Sequence, residues 1–295
     1  MRLLIALSLL TAAHIAAAES LVPAAPVDTA AQVADLLARS KVEQAYETAA
    51  RWQEAEPDNP SAAYWAGNTA GQMAMQSGMF KAMGLAKESR QGLERAVELD
   101  PKYIDAQYAL MQFYLMAPGM MGGDDEEAAA IAERVAALSP VEGHRAKAQL
   151  RAAEKDTDGY LRGNQDALAL SPAHPDALGT VVALLLGKSD FDASKTLIDK
   201  ALAVDPGSVA ARYQFAKWAA VSGRELEPAL AAIDALIALP RYPDNFSLAG
   251  AHYRRAQLLA KLGRNDEAID AYQAAIEVAP KFELASKELE ALKEG

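Results

Sequence analysis

Cysteine is absent from this chain, so no disulfide staples it and no thiolate is available to ligate a metal or attack a substrate. Histidine is scarce as well. His14, His144, His174 and His252 are scattered along the sequence, without the His-Glu-x-x-His spacing that a zinc site uses. Basic residues are outnumbered, 29 against 40 acids, and the formal net charge of −11 repels phosphate backbones and anionic membranes. Nucleic acid is therefore not an expected partner. Aromatics make up 6% of the residues, too few for a surface of stacking platforms. No serine lies in a Gly-x-Ser-x-Gly elbow. The acids Asp124 to Glu127 lack the alternate spacing of a calcium loop, and no Lys-Ser/Thr pair follows the glycines at 119–123. These absences point away from an enzyme, a cofactor and a metal.

What is plentiful is Ala and Leu, in a chain whose residues are 51% hydrophobic. That composition favours helices and supports a sizeable core. The beginning reads differently. Arg2 precedes an apolar run from Leu3 to Ala13, and Ala16-Ala17-Ala18 offers small residues for cleavage. Residues 1–18 thus read as an export signal cut near Ala18, and 19–27 as a Pro/Ala-rich leader. The expected location is the periplasm or the exterior, with no stable membrane insertion after cleavage.

Prolines punctuate the rest. Pro57, Pro101, Pro140, Pro172, Pro206, Pro240 and Pro280 each close an apolar helical stretch, and the last three intervals are 34, 34 and 40 residues. A period near 34 residues marks stacked helical hairpins. The last unit is the clearest, with Ala256, Gly263, Ala268, Tyr272, Ala275 and Pro280 in register. Small residues there let two helices approach, and Tyr272 supplies the complementary bulk. On these residues the chain resembles the tetratricopeptide repeat family, with His252 a departure at the fourth repeat position.

The resemblance implies an all-α, right-handed α-solenoid of about seven hairpins over 28–280, closed by a capping helix in 281–295. In that capping helix Leu284, Leu289 and Leu292 are expected to face the last repeat and Glu288 to face water. The resemblance also implies a concave groove lined by first helices. Carrying its fifth and ninth repeat positions over gives Tyr64 and Asn68, Tyr108 and Gln112, Lys147 and Arg151, Tyr213 and Lys217, and Tyr253 and Gln257. The unit holding Gly179 and Ala183 is bare at those positions and leaves room for an inserted side chain.

The expected function is a non-enzymatic scaffold that binds a protein or peptide on this groove. Its alternative is a small-ligand or transport-accessory component with a cavity near residues 73–123. There Met73, Met75, Met79 and Met83 read as core or as a pliable apolar surface, with core favoured, and the loop at 117–123 as a hairpin bend or a ligand contact.

Overall fold

The computed structural model describes residues 28–243 and 245–294; the export signal and leader read from the sequence lie outside them. Among the described residues there are fifteen α-helices and no strand. The first four hairpins are α1 (Thr29–Ala38) with α2 (Val42–Ala55), α3 (Pro60–Met75) with α4 (Met79–Leu99), α5 (Ile104–Met116) with α6 (Asp125–Leu138), and α7 (Pro140–Ala153) with α8 (Thr157–Leu170). Three more follow: α9 (Pro175–Gly187) with α10 (Phe191–Val204), α11 (Val209–Ser222) with α12 (Leu226–Ile237), and α13 (Leu248–Lys261) with α14 (Asn265–Val278). Helix α15 (Glu283–Glu294) caps the stack.

Local chemistry sets these boundaries. The side chains of Asp28, Asn59, Asp124, Ser139, Asp190, Ser208 and Ser247 each accept a backbone N–H from the first turn that follows. Such caps satisfy donors that have no partner inside the helix. Gly223 and Gly263 leave their helices at φ +75° and +74°, a conformation that a Cβ disfavours. Pro140 does not close a helix as its spacing suggested. It opens α7 behind the Ser139 cap, where its missing N–H costs nothing. Pro57 and Pro101 lie 44 residues apart, beyond the period near 34, and the excess went into longer helices, 16 residues in α3 and 21 in α4.

Alanines form the seams between helices. Ala45, Ala63, Ala96, Ala201, Ala256, Ala268 and Ala275 are fully buried. First helices also pack on one another, α9 on α11 and α11 on α13, and so line one face of the stack. That stack is not an open rod. It curls until α1 meets the loop before α13: the Tyr242 N–H donates to Asp35 Oδ1 at 3.0 Å, and the Arg39 guanidinium lies 4.8 Å from the Tyr242 ring centre. Burial raises the Asp35 pKa, but the Arg39 bond and the Tyr242 N–H outweigh it and hold this carboxyl below its usual range.

The methionine segment departs from the core expectation. Met73 is buried, but Met75, Met79 and Met83 are exposed, and Phe80 between them is 91% exposed. They sit where the lengthened α3–α4 hairpin projects past its neighbours, so no helix covers them. Phe80→Ser is accordingly expected to leave unfolding stability within ~0.5 kcal/mol of wild type while lowering fluorescence of a bound hydrophobic dye. A urea titration and a dye-binding assay check this pair of outcomes.

Candidate functional site

Successive first helices bring equivalent positions into rungs across the inner face. In the rear half, one rung reads Gly179 on α9, Tyr213 on α11, Tyr253 on α13 and Glu288 on α15, and the next reads Ala183, Lys217 and Gln257. Where α9 is bare at Gly179 and Ala183, a cavity of about 930 Å³ opens to solvent, with Pro175, Asp176, Thr180 and Leu184 of the same helix also lining it. Tyr213 and Gln214 of α11 form one wall, and Pro243, Asn245 and Phe246 of the loop before α13 form another. The Phe246 ring meets Tyr213 edge-on at 6.3 Å and stacks on Tyr242 at 4.8 Å. Tyr242 is the residue held by α1, so closure of the stack positions this wall. Asp176, Asp205 and Ser208 add polar groups at the rim, beside the beginnings of α9 and α11.

The cavity lies away from residues 73–123, where the alternative reading had placed it. Near Met73 there is a smaller cleft of about 430 Å³, lined mostly by polar groups of Ser40, Lys41, Gln44, Gln76 and Ser77. The loop at 117–123 lines neither cavity. It forms a tight bend instead, since a Cβ on Gly123 would collide with the Ala117 carbonyl.

The groove residues expected from the sequence fall into different settings. Tyr64 is buried against Trp65 and Tyr103, and Asn68 donates to its hydroxyl at 3.2 Å. Gln112 is half-buried on α5. Tyr108 is buried, and that burial pushes its hydroxyl up to about 12. Tyr253 is buried with Gln257 beside it, and both are occupied by the chain itself. Glu288 accepts from Tyr253 at 2.5 Å, from Tyr272 at 2.7 Å and from Gln257 at 3.1 Å. Burial, then this carboxylate, raises the pKa of both tyrosines. Glu288 therefore faces inward, contrary to expectation, while Leu284 is exposed. The deciding factor is three donors converging on one position, a pattern invisible along a single helix.

Lys147 and Arg151 face away from Tyr108. They pair with Glu133 at 3.1 Å and Glu154 at 2.9 Å on an exposed surface. Because Pro140 begins α7, the register falls two residues earlier and Arg145 takes the inner place. Its guanidinium lies 4.7 Å from the Tyr108 ring centre and meets Glu142 at 2.5 Å and Asp176 at 2.6 Å. Glu142 also bonds His174 Nε2 at 2.7 Å. Burial raises the Glu142 pKa, but His174 and Arg145 together hold it below its usual value. This network ties three consecutive units together and fixes Asp176 at the cavity rim. The signal that could have found it was the Ser-Pro pair at 139–140, read as a cap followed by the first helical residue.

Comparison with known proteins adds two family matches. A model described as TRAP transporter T-component matches residues 5–184, more than half of the chain. The chain belongs to the TRAP transporter T-component family. The span of that match ends within α9, at the edge of the cavity. The tetratricopeptide repeat model matches residues 249–282, which are α13, α14 and the turn after them. Among solved structures, this T-component resembles yeast Tom70 at TM-score 0.51 and 15% identity, over 86% of this chain and 52% of that one. It resembles a chain of the APC/C hetero-tetramer Cut9-Hcn1 at TM-score 0.52 and 14% identity, over 92% of this chain and 50% of that one. A tetratricopeptide repeat protein from Parabacteroides merdae aligns over 90% of this chain and 98% of its own, at TM-score 0.47 and 16% identity. The chain thus spans about half the length of the first two, and the likeness concerns fold alone. No curated protein matches it.

Proposed function

We propose that this protein is a non-catalytic accessory of a transport system, working in the periplasm as a scaffold that docks a partner polypeptide in the cavity between α9, α11 and the loop before α13. Residues 1–18 would serve as its export signal, residues 19–27 as a leader, and 28–280 as the repeat domain closed by the helix in 281–295. The family match supports the transport role. The observation that carries the docking role is the bare rung at Gly179 and Ala183, which leaves an open cavity walled by Tyr213 and Phe246. Aromatic walls around an unfilled site suit insertion of a single apolar side chain. The remaining inner tyrosines, at 64, 108 and 253, are buried and already engaged by the chain, so they serve shape rather than capture.

A second reading is a small solute in the same place, favoured by the volume of about 930 Å³, which lies within the range of ligand pockets. One substitution tests the site. A Cβ on Gly179 meets only the Gln214 side chain, at 3.3 Å, so Gly179→Trp fits the helix and fills the cavity. A photo-crosslinking residue at position 183 should capture an envelope protein in wild type and lose it, by roughly tenfold or more, in Gly179→Trp. Capture that is indifferent to Gly179→Trp would refute docking in this cavity.

A further inference from the structure

The cavity between α9 and α11 is lined by charge of one sign. Among the described residues that line it, Asp176 and Asp205 are the charged ones, and none is a lysine or arginine. Asp176 lies in the first turn of α9, and Asp205 in the turn that leads to the Ser208 cap of α11. Both acids therefore stand at the end of the cavity where these two helices begin. Each helix start adds about half a positive charge, against a full negative charge on each carboxylate, so the acidic sign stands.

The chain does not neutralise that end by itself. Arg145 reaches Asp176 at 2.6 Å, but the same guanidinium serves Glu142 at 2.5 Å, and one cation between two carboxylates leaves a negative charge over. Asp205 makes no ion pair among the described residues. Its Oδ1 accepts the Gly207 N–H at 2.9 Å, which orients the carboxylate without discharging it. Arg212 of α11 donates to the Pro206 carbonyl at 2.8 and 3.1 Å and does not line the cavity. On the wall, Gln214 Oε1 is buried without a donor. The equivalent tyrosines of other units show what is missing. Arg145 lies 4.7 Å from the Tyr108 ring centre, between its two carboxylates, and Arg254 lies 4.9 Å from that of Tyr253. Tyr213 has a ring at the same repeat position and two acids lining the same cavity, but no cation of the chain lies over it among the described residues. An aromatic face beside carboxylates attracts a guanidinium or ammonium group on both counts.

We propose that this cavity recognises a basic side chain, and that the docked segment of the partner presents an arginine or lysine next to its apolar residue. The apolar group enters over Gly179 and Ala183 against Phe246. The cation meets the Tyr213 ring and the carboxylates of Asp176 and Asp205, so that a residue of the partner repeats what Arg145 does on Tyr108. The net charge of −11 draws such a segment in, and the acidic end of the cavity rejects one that carries aspartate or glutamate there. The inference rests on the docking reading above and adds the chemistry of what docks.

A display library of random peptides, selected on the full-length protein, tests both and separates them. Wild type should enrich Arg or Lys beside Leu, Ile or Phe by about fivefold over the starting pool. Asp205→Lys should abolish the basic bias and keep the apolar one. Gly179→Trp leaves the net charge unchanged and should lose the paired enrichment, so it controls for basic peptides drawn by the overall acidity of the protein. A wild-type pool with apolar but no basic bias, or a basic bias that survives Asp205→Lys or Gly179→Trp, overturns the basic assignment and leaves docking standing. No apolar enrichment in wild type beyond that of Gly179→Trp overturns docking itself. Calorimetric binding of 2-phenylethylammonium that depends on Asp205, with no peptide enrichment, would assign the site to a free amine and overturn the partner proposal. Should Asp205→Lys fail to fold, Asp205→Asn keeps an acceptor for the Gly207 N–H, removes the charge from an exposed position, and is expected to cut the basic bias by about twofold.

Discussion

Gly92→Val is expected to destabilise the protein by ~3 kcal/mol. At Gly92 a Cβ would lie 2.7 Å from both Cα and N of Gly67 and 3.0 Å from the Ala63 carbonyl oxygen. Gly67 is equally confined, with a Cβ there 2.7 Å from the Leu93 N. Helices α3 and α4 thus touch backbone to backbone, and neither side can rotate away as a side chain would. Separating them would unseat Tyr64 and Trp65 from α3 and Leu93 and Ala96 from α4, which share one core. Gly84 on the same α4 is the control, because a Cβ there meets nothing within 4 Å. Gly84→Ala should stabilise by ~0.5 to 1 kcal/mol through helix propensity alone. Urea midpoints moving in opposite directions for the two variants would establish the crossing; a shared direction would refute it.

The second large effect is at Arg145. This side chain is 9% exposed, with two carboxylates and the Tyr108 ring around it. Arg145→Met keeps much of the volume but leaves Glu142 and Asp176 without their cation, and removing one partner of a buried ion pair costs about 3 kcal/mol. The cost depends on pH. The folded-state pKa of Glu142 lies below its ordinary value of 4.5, so its favourable pairing is fully present above that value and is lost as pH falls through the folded one. Protonation also relieves the repulsion left in the variant. Wild type and Arg145→Met should therefore differ most at pH ~7 and converge toward pH ~3, in urea titrations run at both. A gap that does not change with pH would show that packing, not charge, carries the contribution of Arg145.

Particular residues show how far the sequence could be read. The terminal unit was legible because its signals are local: Gly263 ends a helix and Ala268 and Ala275 mark a close helix contact, whatever surrounds them. The α7 register was missed because a proline serves equally after a helix or at its first position, and only the Ser139 cap decides between them. For Met75, Met79 and Met83 the core was favoured over a pliable surface, and the surface is where they lie, because helical spacing describes a stripe without saying whether anything packs on it. Glu288 was misread for the converse reason. On α15 it sits among charged residues, and its partners lie 16, 31 and 35 residues away.

By itself, the order of residues determined an all-helical chain of repeating hairpins, since capping, helix period and residue chemistry act over a few positions. Only the tertiary structure decided that the stack curls until α1 reaches Tyr242 and that the cavity opens at the Gly179 rung. Those outcomes depend on small rotations accumulated from one hairpin to the next, each set by side chains meeting across an interface, and no local window of sequence contains their sum.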